Sequence, residues 1–304
     1  MKKLNCNEVK RPIILFGTGR SGTTIFMDAL FQHKEVAYLS NHLERKPDWI
    51  WINHLRNLHD NSYFRILKKR DDSVAQRIIN PLLLKPVEGY SIWKHILPDR
   101  IDFSRSFLHE VELSNFEKKK VHTYFNNVIS YQNKSRIALK ITGPGRLHFL
   151  SKLFPSAKFI WLKRAFIPTL NSFLNASFWK DRKTSELWWK SVELNEKINK
   201  LPETKNDPVL FTAFQIHEII DSIEKSIGAL NINVYTINYE VFTEQPFQVM
   251  KEALDFCELS DDQACFSFLK STTIENRNKS ESEYLDEQTL FKIKQLRNQL
   301  KYLG

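Results

Sequence analysis

The stretch RPIILFGTGRSGTTIFMDALF, residues 11–31, decides how the chain folds. Ile13 to Phe16 is a continuous apolar run, the pattern of a strand buried on both faces of a parallel sheet. Gly17, Gly19 and Gly22 follow within six positions, in a chain that has only 8 glycines among 304 residues. Such sparing use puts glycine where the backbone needs positive φ or must approach a ligand closely. Ile25, Phe26, Ala29 and Leu30 then recur at helical spacing. A strand, a glycine loop and a helix N-terminus in this order aim backbone N–H groups and the positive end of a helix dipole at one spot. That spot suits a phosphate.

The spacing Gly17-x-x-x-x-Gly22 is that of the Walker A loop, but Thr23 stands where a nucleotide triphosphatase has its lysine. The cation comes earlier instead, as Arg20 inside the loop. Further along, Phe159 to Leu162 predicts a second buried strand, and residues 165–176 a helix with Pro168 in its first turn. In a triphosphatase the second strand commonly ends in a metal-binding Asp. This one ends in Lys163-Arg164, which cannot hold magnesium but can pair with a second phosphate. Ser172 lies eight residues beyond Arg164, on the inward-facing start of the helix, while Lys158 and Lys163 read as surface lysines.

With these residues in hand, the chain resembles the sulfotransferases that use 3′-phosphoadenosine 5′-phosphosulfate (PAPS). Residues 17–24 are similar to the family's 5′-phosphosulfate loop, and 154–172 to its 3′-phosphate segment, including the Arg-x7-Ser spacing. Residues 234–246, with Tyr239-Glu240, resemble the strand and turn that line the adenine pocket, followed by a helix over 247–257. The resemblance covers roughly residues 12–35, 137–177 and 232–258, in the family's order. It implies a single α/β domain over residues 1–304, with a central parallel sheet flanked by helices: a P-loop-like sulfotransferase fold with a helical cap. It also implies PAPS as co-substrate and 3′-phosphoadenosine 5′-phosphate (PAP) as product, without a metal. The donor's residues would be Thr18, Gly19, Arg20, Ser21, Gly22, Thr23 and Thr24 at the 5′ end, and Arg164 and Ser172 at the 3′-phosphate. Tyr239 would lie at the adenine, and the basic stretch carrying Arg277 and Lys279 would add 3′-phosphate contacts. The chain departs from the family at Ala165-Phe166, where an Asp-Pro or Asn-Pro is usual.

Sulfuryl transfer needs donor and acceptor in line, charge stabilised on the leaving oxygen, and a base for the acceptor's proton. Lys140, at the end of the predicted strand Arg136–Leu139, is by resemblance the group for the bridging oxygen. After the predicted strand Val36–Leu39, Glu44 is the preferred base, with His42 next; Glu88 and His95 are outer candidates. His33 and His148 read as packing residues.

Residues 45–130 read as a helical cap on the acceptor side, carrying Trp49, Trp51, Trp93 and a helical stretch 109–131. Further helices are expected at 185–200, 208–226 and 285–303. Aromatic residues interleaved with basic ones suit a small-molecule or glycan acceptor, a carbohydrate or glycolipid first, whose apolar sugar face stacks on rings. The formal net charge of +10, from 45 Lys plus Arg against 35 Asp plus Glu, agrees with an anionic ligand. The absence of an apolar run of about 18–20 residues and of a signal-peptide core predicts a cytoplasmic protein without a membrane span. Cys6, Cys257 and Cys265 form neither a disulfide framework nor a zinc pattern. Two other classes stay open. A P-loop kinase or nucleotide hydrolase would show magnesium-dependent ATP turnover, and a nucleic-acid-binding protein would show salt-sensitive binding without donor preference. The missing lysine at position 23 argues against the first, and the glycine loop is left over by the second, so no nucleic-acid partner is expected.

Overall fold

The computed structural model describes residues 8–59, 84–180 and 186–303. Five parallel strands form its centre in the order β2-β3-β1-β4-β5. They are β1 (Ile13–Gly17), β2 (Val36–Ala37), β3 (Arg136–Thr142), β4 (Lys158–Lys163) and β5 (Val234–Asn238). The expected apolar run is therefore the middle strand, and all five of its residues are buried. Because successive side chains of a strand point to opposite faces, β1 supplies two cores. Ile14 and Phe16 join one apolar layer, and Ile13 and Leu15 the other.

The first layer holds α3 (Tyr90–Ile96), α4 (Asn115–Tyr131), α5 (Leu147–Leu153), α6 (Phe166–Leu174), α7 (Val192–Asn199), α8 (Pro208–Ala229) and α12 (Glu287–Leu303). The second holds α1 (Thr23–Leu30), α9 (Tyr239–Glu244), α10 (Pro246–Phe256) and α11 (Gln263–Ser271). Helix α2 (Asn41–Arg45) sits after β2, and among the described residues short helical segments also form at Ile50–Leu55, Arg56–His59, Ser177–Lys180, Pro202–Asn206 and Glu281–Glu283. Local chemistry sets the helix starts. Ser114 and Glu117 form a reciprocal capping box at α4, and the Asp207 carboxylate accepts from the Val209 and Leu210 amides, with Pro208 as the first residue of α8. No helix of the described residues is long and apolar enough to cross a membrane.

Several elements differ from the sequence reading. Strand β2 stops at Ala37, because the Leu39 carbonyl turns to the amide of Val87, which arrives from a distant segment. β3 runs on to Thr142, so Lys140 stands inside the strand rather than at its end. The expected helices 109–131 and 185–200 begin later, at Asn115 and Val192. Within 45–130, Trp93 is fully buried and stacks on Phe103 with ring centroids 4.1 Å apart. α4 packs against β2 and β3, so both belong to the layer beneath the sheet. Trp49 and Trp51 remain exposed. Cys257 and Cys265 are buried, and burial pushes the Cys257 thiol up to about 12. Cys6 lies outside the described residues.

Candidate active site

The chain leaves β1 at Gly17 and enters α1 at Thr23 through a tight loop with three left-handed residues: Gly19 at φ 83°, Arg20 at 57° and Gly22 at 86°. Gly22 has no room for a side chain, since a Cβ there would lie 2.5 Å from Cδ2 of Tyr239. Arg20 adopts a conformation that non-glycine residues seldom take, and such departures concentrate at functional sites. Consecutive left-handed residues turn neighbouring amides toward a common point, and α1, with no acidic residue in its first turn, adds its dipole there.

Three distant segments meet at this loop. Arg20 Nε donates to Ser172 Oγ on α6 at 3.0 Å. Arg164, just past β4, donates from Nη1 to the Arg20 carbonyl at 2.8 Å, and its guanidinium covers the Tyr239 ring at 4.7 Å. Its Nε donates to Asn278 Oδ1 at 2.8 Å. Burial pulls the pKa of Arg164 below its ordinary value, against the opposing pull of Tyr239, Tyr284 and Glu240. The Glu240 carboxylate accepts from the Ala165 amide at 3.1 Å and from Asn278 Nδ2 at 2.5 Å. The turn at Ala165-Phe166 is thus held by a side chain from α9. The Tyr239 hydroxyl donates to the Glu275 carbonyl, and Tyr284 fastens Arg277 and Lys279 through their backbone groups. Arg277 and Lys279 themselves point to solvent. Asn278 between them is the residue that meets Arg164, and sequence reasoning passed over it because only the charges stood out.

Within the loop the expected residues divide. Thr18, Gly19, Arg20, Thr23 and Thr24 line a cleft of about 320 Å³. Ser21 is turned inward and fully buried, and its hydroxyl has no hydrogen-bond partner among the described residues. Lys163 pairs with Glu224 at 2.9 Å, and Lys158 with Glu258 at 2.6 Å, as surface lysines do.

The floor of the cleft comes from β3 and the segment before α3. Parallel pairing sets Lys140 beside Leu15 and Thr142 beside Gly17, and the strand period of two puts both on one face. Lys140 Nζ lies 3.2 Å from Glu88 Oε1 and donates to Thr24 Oγ1 at 3.1 Å. Thr142 Oγ1 donates to Glu88 Oε2 at 2.7 Å, and the Tyr90 hydroxyl donates to the Thr142 carbonyl at 2.9 Å. Burial, then the nearby Glu88 charge, push Tyr90 up to about 12, so it stays a donor. Behind them the buried Arg146, lowered by desolvation, donates to the carbonyls of Pro144 and Ser104.

Glu44 and His42 are not among the cleft's lining residues. Glu44 Oε1 instead accepts from the Ser91 amide at 3.0 Å, at the first turn of α3. His95 pairs with Asp48 at 3.2 Å and is likewise not part of the lining. Among the described residues, the carboxylate that lines the cleft is Glu88. The sequence offers it only as an outer candidate, within Pro86-Val-Glu88-Gly89. The opposite wall is aromatic, built by Phe173, Phe178, Trp179, Trp188 and Trp189.

The Sulfotransferase family model matches residues 12–263. Among solved structures, the chain is similar to sulfotransferase STF9 from Mycobacterium avium, with a TM-score of 0.54 and 17% identity over 94% of this chain and 76% of that one. It is also similar to sulfotransferase STF1 from Mycobacterium tuberculosis H37Rv, with a TM-score of 0.52 and 12% identity over 95% and 76% of the two chains. At these identities the likeness is one of fold. No curated protein matches the sequence.

Proposed function

The chain belongs to the sulfotransferase family, and from that premise we propose that it moves the sulfuryl group of PAPS to a hydroxyl or amine of an acceptor, by direct in-line transfer. The observation that carries the reading is the convergence of Arg20, Ser172 and Arg164 on the left-handed loop before α1. Two guanidinium groups and a hydroxyl there can bind two separate anionic groups of one ligand, as PAPS requires. The loop amides of residues 19–24 and Arg20 hold the 5′ end. Arg164 and Ser172 hold the 3′-phosphate, with Arg277 and Lys279 near enough in sequence to Asn278 to add charge from the same strap. Tyr239, already stacked under Arg164, lies at the adenine side.

Glu88 takes the acceptor's proton, replacing Glu44 and His42 in that role, because among the described residues Glu88 is the carboxylate that lines the cleft. Lys140 and Thr142 hold that carboxylate in place. Lys140 also reaches Thr24 at the helix N-terminus, where it stabilises the oxygen released to PAP. The acceptor oxygen bonds to sulfur as the sulfur–oxygen bond to the phosphate breaks, and the acceptor's proton goes to Glu88. The acceptor is a compound with a flat apolar face, the expected carbohydrate or glycolipid being one such class.

Calorimetric titration without magnesium, using PAP beside AMP and ATP, tests the donor. PAP is expected to bind well above AMP, and Arg164→Met to lose about 10- to 100-fold in PAP affinity, the value of a charge-assisted contact. ATP with magnesium binding better than PAP overturns the reading in favour of a kinase.

A further inference from the structure

The polar groups on the cleft floor already satisfy one another. Glu88 accepts from Thr142 and pairs with Lys140, Lys140 reaches Thr24, and Tyr90 is spent on the Thr142 carbonyl. The adjacent carboxylate and ammonium, 3.2 Å apart, present little net charge to an acceptor. What remains for recognition is the aromatic wall. Its rings brace each other edge to face: Phe173 against Trp179 at 5.1 Å and 74°, against Trp189 at 6.2 Å and 77°, and against Phe178 at 6.3 Å and 71°. Trp179 fixes its indole N–H on Thr212 Oγ1 at 3.0 Å. Phe178 is 49% exposed, although it stands in a wall of otherwise packed rings.

Trp188 is held from behind. The Arg105 guanidinium lies 4.5 Å from its ring centroid, and Arg105 also donates to the carbonyls of Trp188 and Leu187 at 2.6 and 3.0 Å. Gln215 accepts from the Trp188 amide at 2.8 Å. The residue before Arg105, Ser104, lines the cleft and is tied to the buried Arg146. One backbone segment therefore fixes both the polar corner and the aromatic face. The volume, about 320 Å³, is at the small end of ligand pockets, which run roughly from 300 to 1,000 Å³.

We propose, resting on the sulfuryl-transfer reading above, that this wall selects an uncharged aromatic alcohol as acceptor, with Arg105 as the positioning residue that holds Trp188 flat against it. A phenolic ring stacks on Trp188 and meets Phe178 at its edge, with its single hydroxyl directed at Glu88. A sugar would bring several hydroxyls to a floor whose donors and acceptors are already paired, and each hydroxyl left without a partner there costs affinity.

The test is calorimetric titration of the full chain, saturated with PAP, using 2-naphthol and methyl glucoside as probes. Naphthol is expected to bind and the glucoside to bind at least tenfold more weakly. Trp188→Ala and Phe178→Ala should each raise the naphthol Kd about tenfold, the loss of one stacking surface, and leave the PAP Kd unchanged. Arg105→Met should follow Trp188→Ala, while Arg105→Lys, which keeps a cation over the ring, recovers part of the affinity. Phe178 is half exposed, so its variant keeps the test valid should Trp188→Ala fail to fold. Glucoside binding as tight as naphthol, or naphthol binding unchanged in both ring variants, overturns the proposal. PAP binding without naphthol binding overturns it alone; no PAP binding at all removes the proposed reaction and this inference with it.

Discussion

Glu44 and Glu88 are both partly buried glutamates that touch the same short helix, yet the fold gives them different work. Glu44 accepts a backbone amide at the first turn of α3, whereas Glu88 faces Lys140 and Thr142 in the cleft. A base must lie within reach of the proton it abstracts, and of these two glutamates it is Glu88 that lines the cleft. Glu88→Gln is expected to reduce turnover by about 10²- to 10⁴-fold, the usual value of general-base catalysis, while PAP affinity stays as it was. Glu44→Gln keeps an amide oxygen for Ser91 and should leave turnover within about threefold of wild type, because the charge it removes does helix capping and not chemistry. Steady-state rates with labelled PAPS and a naphthol acceptor compare the two variants directly. Equal losses in both would return the base to α2.

The loop between β1 and α1 was legible because its demands are local: left-handed backbone at Gly19 and Gly22, and a close neighbour at Gly22, exclude nearly every other residue. Gly22→Ala puts a methyl group against the Tyr239 ring and strains the backbone at φ 86°. The ring cannot retreat freely, since its hydroxyl holds the Glu275 carbonyl and its face carries Arg164. The variant should therefore melt several degrees lower and lose PAP binding by more than tenfold, a coupled loss that differential scanning and calorimetry read separately. A lower melting point with intact PAP affinity would mean that the loop is structural only. The same locality explains the strands β1 and β4, whose apolar runs fix their own burial. Glu88, by contrast, reaches the cleft because residues 85–87 hydrogen-bond to the segment after β2, through Asn41 and Leu39, some 45 positions earlier. No spacing within either segment announces that pairing. Trp93 misled for a related reason, since an aromatic among basic residues looks like a ligand surface until Phe103 and Phe125 close over it.

Taken as one body, the molecule gathers three histidines that desolvation affects on the α4, α5 and α8 side of the sheet. His122 on α4 is 6% exposed, and its Nδ1 accepts the Val9 amide at 3.1 Å, which ties the segment leading into β1 to the layer. His148 on α5 meets Ser226 of α8, and His109 meets Ser222 of the same helix. Desolvation lowers all three below the ordinary histidine value, with Lys118 adding to the effect at His122 against Glu8, and His148 adding to it at His109. A lowered folded pKa means that the unfolded chain binds protons first as the pH falls, so the stability these groups give is complete above about 6.5 and drains away below it, through their folded values. Protonation of His122 carries a further cost, because an Nδ1 that bears a proton can no longer accept from Val9. The melting temperature should accordingly hold steady from pH 8 to about 7 and fall by several degrees toward pH 5. His122→Gln offers an amide oxygen to the same Val9 donor without a titrating proton, so its decline over that interval should be visibly shallower in scans at matched ionic strength. A variant curve parallel to wild type would assign the acid sensitivity to His109 and His148, and free the N-terminal tie from any part in it.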